Sequence, residues 1–185
     1  MSQFEVHTIE SAPAESRASL QALEQGLGFV PNLAAAMAGS PALVNSFVQM
    51  RGTLAAGGLT GAERELVAIA VSRENDCDYC MAAHSTFALM QKADPAAVEA
   101  ARAGRAPSDA KLGALYEFAR ALVARRGHVG EQDVQALLDG GCSREAALTA
   151  IAQVAHTTMA NYVHNLADVT VDEPFRAQAW ERAAA

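Results

Sequence analysis

The stretch LTGAERELVAIAVSRENDCDYCMAAH, residues 59–84, reads as two helices separated by a short break. Thr60 followed by Glu63 is a capping box, in which each side chain satisfies a backbone N–H that the first turn leaves open. The helix it starts carries Glu65 and runs to about Glu74. Asn75 and Asp76 interrupt it, and a second helix extends from Cys77 to about Lys92. Nothing here alternates with the period of two that a half-buried strand requires.

The same punctuation extends in both directions. A first helix spans about Ala14 to Leu27 and is ended by Gly28, and a short one follows Pro31. Ser40 with Pro41 begins the next, which stops at Gly57-Gly58. Asp94-Pro95 starts a helix reaching about Ala103, and Pro107 to Arg126 is long and amphipathic. A short helix near Glu131 to Leu138 ends at Gly140-Gly141. Ser143 caps a long one running to about Asp168, and a further turn is expected around Arg176 to Arg182. Ala, Leu, Glu, Arg and Gln dominate and β-branched residues are scattered, so helix propensity is high almost throughout. The expectation is an all-α bundle of roughly eight to ten helices with short loops.

The chain has 185 residues, which suits one domain able to bury roughly 70% of its unfolded surface without a disulfide or metal. Within it, 1–58 reads as an N-terminal helical segment, 59–170 as the core and 171–185 as a tail. A net charge of -7 with dispersed Lys and Arg argues against nucleic acid or an anionic membrane as partner. The start MSQFEVHTIESAPAESR lacks the features of a signal peptide, and no apolar run approaches the ~20 residues of a membrane span. A cytoplasmic location follows as an expectation, and there a close cysteine pair points to catalysis or metal binding rather than a structural disulfide.

With Asp76 as N-cap, Cys77 occupies the first helical position and Cys80 lies one turn on. His84 follows four residues later, placing all three on one stripe. Open N–H groups and the positive end of the helix dipole favour thiolate there, while Asp76 and Asp78 oppose it. Residues three apart hold their Cβ atoms about 5–6 Å from each other, against the ~3.8 Å of a disulfide. A bond therefore needs slight unwinding, which is easiest in a first turn, so a reversible disulfide is expected. Glu65, flanked by apolar Ala68 and Ile69, is expected to be partly buried and able to take a proton from His84. Zinc is the competing reading, since Cys77, Cys80, His84 and Glu65 are all acceptable ligands.

Elsewhere the expectations are plainer. Cys142 reads as small packing material at a helix start. His156 and His164 share a face of the long C-terminal helix and read as satisfied or exposed, with lining a site as the alternative. His7 and His128 read as exposed, and Tyr79, Tyr116, Tyr162 and Trp180 as core or interface. Phe47, Phe118 and the methionines read as core.

The spacing E-x11-C-x2-C-x3-H, formed by Glu65, Cys77, Cys80 and His84, resembles the active-site signature of alkylhydroperoxidase D-like proteins of the carboxymuconolactone decarboxylase superfamily. GFVPNLAAAMAGSPAL, the segment 59–84 and MANYVHNLADVTVD resemble the peroxidase-related branch, so the likeness spans nearly the whole chain. The resemblance implies an all-α oligomer (dimer, trimer or hexamer) and a thiol peroxidase cycle using neither metal nor flavin. It implies that Cys80 is oxidised to sulfenic acid, that Cys77 donates a proton and then forms the disulfide, and that Glu65 and His84 relay protons. Helix-end reasoning alone points to Cys77 as nucleophile; the resemblance gives that role to Cys80. One position departs: alkylhydroperoxidase D carries a histidine between the cysteines where this chain has Tyr79.

The expected activity is reduction of organic hydroperoxides or hydrogen peroxide, with an unidentified dithiol or a thioredoxin- or lipoyl-like partner as reductant. The alternatives are a carboxymuconolactone decarboxylase-type enzyme, which does not depend on a cysteine pair, and a non-enzymatic redox or zinc-binding helical module.

Overall fold

Cap chemistry sets the helix boundaries. In the computed structural model, which describes residues 4–181, nine α-helices and a 3-10 helix follow one another, with no strand among the described residues. They are α1 (Ala14–Leu27), α2 (Asn32–Met37), α3 (Pro41–Leu54), α4 (Gly61–Glu74) and α5 (Asp78–Met90). After these come α6 (Pro95–Arg102), α7 (Ala110–Ala124), α8 (Glu131–Asp139), α9 (Arg144–Ala167) and the 3-10 helix Glu173–Gln178. The Thr60–Glu63 box is present in both directions: Thr60 N–H donates to Glu63 Oε2 at 2.8 Å, and Glu63 N–H donates to Thr60 Oγ1 at 3.3 Å. Ser40, Asp94 and Ser143 accept first-turn N–H groups of α3, α6 and α9 in the same manner. Gly28, at φ 84°, closes α1 by donating to the Glu24 carbonyl.

Two boundaries differ from expectation for local reasons. The helix expected from Pro107 begins at Ala110, because Asp109 Oδ1 accepts the Leu112 N–H at 2.9 Å and caps it there. The tail forms its turn earlier, at Glu173–Gln178, with Pro174 in its first turn; the end of the expected turn, at Arg182, lies outside the described residues.

Helix α4 is buried continuously from Leu66 to Ser72. A helix apolar on all sides has to be enclosed, and α5, α7 and α9 pack around it. One apolar cluster joins α4 to α6, α7, α8 and the start of α9 through Val67, Ile69, Leu115, Phe118 and Leu137. Another joins α1, α2, the far end of α9 and the tail through Leu20, Leu33, Met37, Ala160 and Phe175. Helix α5 divides between them. Met81 and Ala88 face the first cluster, whereas Cys77, Tyr79, Cys80 and Ala83 face the second.

The tail is tied to this second cluster by one carboxylate. Asp172, 9% exposed, accepts the Tyr79 hydroxyl at 2.5 Å and the Asn32 N–H at 3.2 Å, which caps α2 from a distance in sequence. Asp172→Ala leaves the buried Tyr79 hydroxyl and the half-buried Asn32 N–H without that acceptor. The expected cost is about 3 kcal/mol, read as a fall in Tm of roughly 6–12 °C.

Tyr116 is fully buried as expected and donates to the Ala101 carbonyl at 3.1 Å. Met90, expected in the core, is 69% exposed, and Tyr162, expected in the core or at an interface, is 63% exposed. Tyr162 stands on the outer face of α9 and Met90 at the last position of α5, where no layer covers them. Among the described residues no helix is long and apolar enough to cross a membrane.

Candidate active site

The cysteine turn is built differently from the simplest reading of its sequence. Asp76 adopts φ 50° and belongs to the end of α4, not the start of α5. Its N–H donates to the Arg73 carbonyl at 3.2 Å, and the Cys77 N–H donates to the Ser72 carbonyl at 2.9 Å. This is a Schellman closure with aspartate in the left-handed position, which Asp tolerates better than most residues. The chain therefore enters α5 immediately, with Cys77 as N-cap and Asp78 as its first helical residue. Cys77 Sγ accepts the Cys80 N–H at 3.4 Å, the task a serine hydroxyl performs at other N-caps.

Helix α9 supports this turn from behind. Asn75 Nδ2 donates to Asn161 Oδ1 at 2.9 Å, Asn161 Nδ2 to Ser72 Oγ at 3.1 Å, and Asn165 Nδ2 to the Asn75 carbonyl at 2.8 Å. His164 Nε2 pairs with Asp78 Oδ1 at 2.6 Å. The turn that presents the cysteines is thus fixed by a polar ladder running to Asn161, His164 and Asn165, some ninety positions away in sequence.

All three cysteines are free thiols. Cys77 is 0% and Cys80 1% exposed, but Cys80 forms part of the wall of a cavity of about 240 Å³ whereas Cys77 lies behind it. The cavity is mainly apolar, bounded by Leu23, Leu33, Phe47, Phe87 and Phe175 among others, and Glu65, His84 and His156 also line it. Glu65 Oε2 meets His84 Nδ1 at 2.6 Å across the α4–α5 interface. A carboxylate on Nδ1 holds the imidazole with its Nε2 available as a base. His84 stands one turn beyond Cys80 on the same stripe of α5.

Burial, and the Cys77 sulfur beside it, push the Cys80 thiol well above its ordinary value. The sequence left the helix end, which favours thiolate, set against Asp76 and Asp78; burial decides against thiolate at Cys80, the N-cap geometry directs the open N–H to Cys77, and Cys80 needs a base to ionise. Among the described residues no three His, Cys, Asp or Glu side chains converge to hold a metal ion.

Tyr79 stands at the position where alkylhydroperoxidase D carries a histidine. Its hydroxyl is committed to Asp172 and accepts the Leu33 N–H at 3.4 Å. Cys142 is buried packing, as expected, with burial raising its thiol. His7 is half-buried, with Nδ1 3.2 Å from Ser11 Oγ.

His156 differs from expectation most. It is neither exposed nor satisfied: it is 5% exposed, stacks on Phe47 with ring centroids 4.4 Å apart, and its buried Nδ1 has no partner. Burial, reinforced by His84 and Arg51, lowers its pKa from 6.5 to about 3. The folded protein therefore holds it neutral while the unfolded chain binds a proton near 6.5. Its contribution is fully present above pH 6.5 and is lost as acid favours the unfolded state down to about pH 3. Between pH 6.5 and 5 the expected loss is about 2 kcal/mol. Denaturant titrations of the parent and of His156→Gln should show that slope reduced in the variant.

The sequence also concealed Arg51, Arg64 and Gln153, which line the cavity from α3, α4 and α9. A signal existed on α9. Gln153, His156, Asn161 and His164 recur at near-helical spacing and form a polar stripe on a buried face. No comparable pattern announced the arginines.

Residues 41–124 match the model of the carboxymuconolactone decarboxylase family. Over the whole fold, the chain is similar to a peroxidase-related protein of Ralstonia eutropha whose structure is that of an alkylhydroperoxidase AhpD core. The TM-score is 0.83 at 26% identity, covering 94% of each chain. A peroxidase-related protein from a Silicibacter species gives a TM-score of 0.79 at 24% identity over 95% of this chain and 93% of that one. A variant of the debrominase Bmp8, in complex with 2,3,4-tribromopyrrole, gives 0.79 at 22% identity over 96% and 97%. No curated protein sequence matches the chain.

Proposed function

Because the chain is an alkylhydroperoxidase D-like member of the carboxymuconolactone decarboxylase superfamily, we propose that it is a thiol peroxidase acting on organic hydroperoxides. The observation that carries this reading is Cys80 in the wall of an apolar cavity that also holds the 2.6 Å His84–Glu65 pair.

His84 Nε2 takes the Cys80 proton, and Glu65 stabilises the imidazolium that results. The thiolate attacks the terminal peroxide oxygen; an S–O bond forms as the O–O bond breaks, and the departing alkoxide recovers the proton from His84 as an alcohol. Cys77, held one turn away by its N-cap bond, then attacks the sulfenic sulfur. An S–S bond forms, and the hydroxide leaves as water with the Cys77 proton. A dithiol reductant, such as a thioredoxin-like or lipoyl partner, restores both thiols by exchange. Across the cycle one hydroperoxide and one external dithiol become an alcohol, water and a disulfide.

Peptide mass spectrometry after graded cumene hydroperoxide tests this reading. Cys77 and Cys80 should pass from two thiols to one disulfide per peroxide consumed, and a dithiol should reverse the change. Peroxide consumption with both thiols intact would exclude it.

The enzyme is expected to work as a homo-oligomer. Leu148, Ile151, Tyr162 and Leu166 are 69%, 47%, 63% and 69% exposed, and they fall within about 60° of arc on α9 at 100° per residue. An apolar stripe of that length on a free surface is a docking face. Sedimentation of Leu148→Glu/Leu166→Glu should show a smaller species than the parent; an unchanged mass would remove α9 from the interface.

A further inference from the structure

The cavity is electropositive at one end of an acidic protein. Glu65 is the only carboxylate among its described lining residues, and it is engaged by His84. Arg51 and Arg64 line the same cavity, and among the described residues neither has a carboxylate within ion-pair distance. Arg64 gives one N–H to the Leu59 carbonyl at 2.9 Å, and Arg51 lies 5.9 Å above the Phe87 ring. Two guanidiniums without a carboxylate partner, in the wall of a mainly apolar cavity, stand where an anion can reach them.

Helix α5 measures how far that anion lies from the reacting sulfur. Cys80, His84, Phe87 and Gln91 all line the cavity and follow one another at helical spacing. With a rise of 1.5 Å per residue, Phe87 lies about 10 Å along the axis from Cys80, and Arg51 sits over Phe87. Phe47, Ala83 and Phe175 also line the cavity and offer apolar contact. The orphaned Nδ1 of His156 is the one buried polar atom of this cavity left without a partner among the described residues.

We propose that the substrate is an amphiphilic hydroperoxide bearing a carboxylate, with its peroxide at Cys80, an apolar body along α5, and its anionic head on Arg51 and Arg64 about 10 Å away. This rests on the peroxidase reading above and specifies its substrate. The redox step is the one already written: the O–O bond is reduced to an alcohol while the carboxylate is unchanged and serves only for binding.

The test compares a medium-chain hydroperoxy fatty acid with its methyl ester. The acid should be preferred in kcat/KM by on the order of 10- to 100-fold, the worth of a charge-assisted hydrogen bond. In Arg51→Ala/Arg64→Ala the acid-to-ester ratio should fall to near one, whereas Arg105→Ala, an exposed arginine outside the cavity, should leave the ratio intact. Equal use of acid and ester by the parent, or a ratio that survives the double substitution, would overturn the proposal. Cumene hydroperoxide has no carboxylate and reports on peroxidase chemistry alone, so failure there strikes the function and not the head-group site. In that event calorimetry of decanoate and methyl decanoate on Cys80→Ser decides the arginine site directly. Binding of the acid over the ester, lost in the double variant, supports it, and equal binding refutes it.

Discussion

Cys80→Ser is expected to reduce organic hydroperoxide turnover by on the order of 10³-fold or more, with the fold intact. A serine oxygen is a poor nucleophile toward peroxide and cannot be carried through a sulfenic acid. The replacement is nearly isosteric at a site 1% exposed, so packing is preserved. Cys77→Ser should behave differently. Serine is a good N-cap, and its hydroxyl can take over the bond that Cys77 Sγ now accepts from the Cys80 N–H. That variant should consume one equivalent of peroxide and then stop, because the sulfenic acid has no neighbouring thiol to resolve it. A stopped-flow burst followed by no steady state is the signature. Parallel, equal loss in both variants would contradict the division of roles.

His84→Gln is expected to lower kcat/KM by about 10²–10⁴-fold at neutral pH. The Cys80 thiol is held well above its usual range by burial and by Cys77, so at neutral pH nearly all of it is protonated and the base is what makes attack possible. The loss should therefore shrink as pH rises, because hydroxide takes over the deprotonation in the variant. A loss of the same size at every pH would mean that His84 supports the structure without moving the proton. Glu65→Gln should lie between the parent and His84→Gln, since it removes the charge that stabilises the imidazolium at 2.6 Å.

The helices were legible because their ends are written in short-range chemistry. Thr60 with Glu63, Ser40 with Pro41 and Asp94 with Pro95 each specify a start within four residues. The turn at 75–77 misled for the same reason. Asp76 has the side chain of an N-cap, but its backbone is used to close α4, and only the φ of 50° reveals that. Glu65, Cys77, Cys80 and His84 were visible because they lie on adjacent helices joined by one tight turn. The other half of the cavity comes from α3 and α9. Arg51 and His156 are far from the cysteines in sequence, so local spacing carried no trace of their approach. The α9 stripe of Gln153, His156, Asn161 and His164 was readable as a buried polar face, but what it faced required the fold.

The most direct test of the central claim is to locate the sulfenic acid. One equivalent of cumene hydroperoxide is added to Cys77→Ser and to Cys80→Ser in the presence of a dimedone-type trap, and the adduct is mapped by peptide mass spectrometry. The proposed cycle predicts a trapped adduct on Cys80 of the first variant and none on Cys77 of the second. An adduct on Cys77, with Cys80 left unmodified, would contradict it.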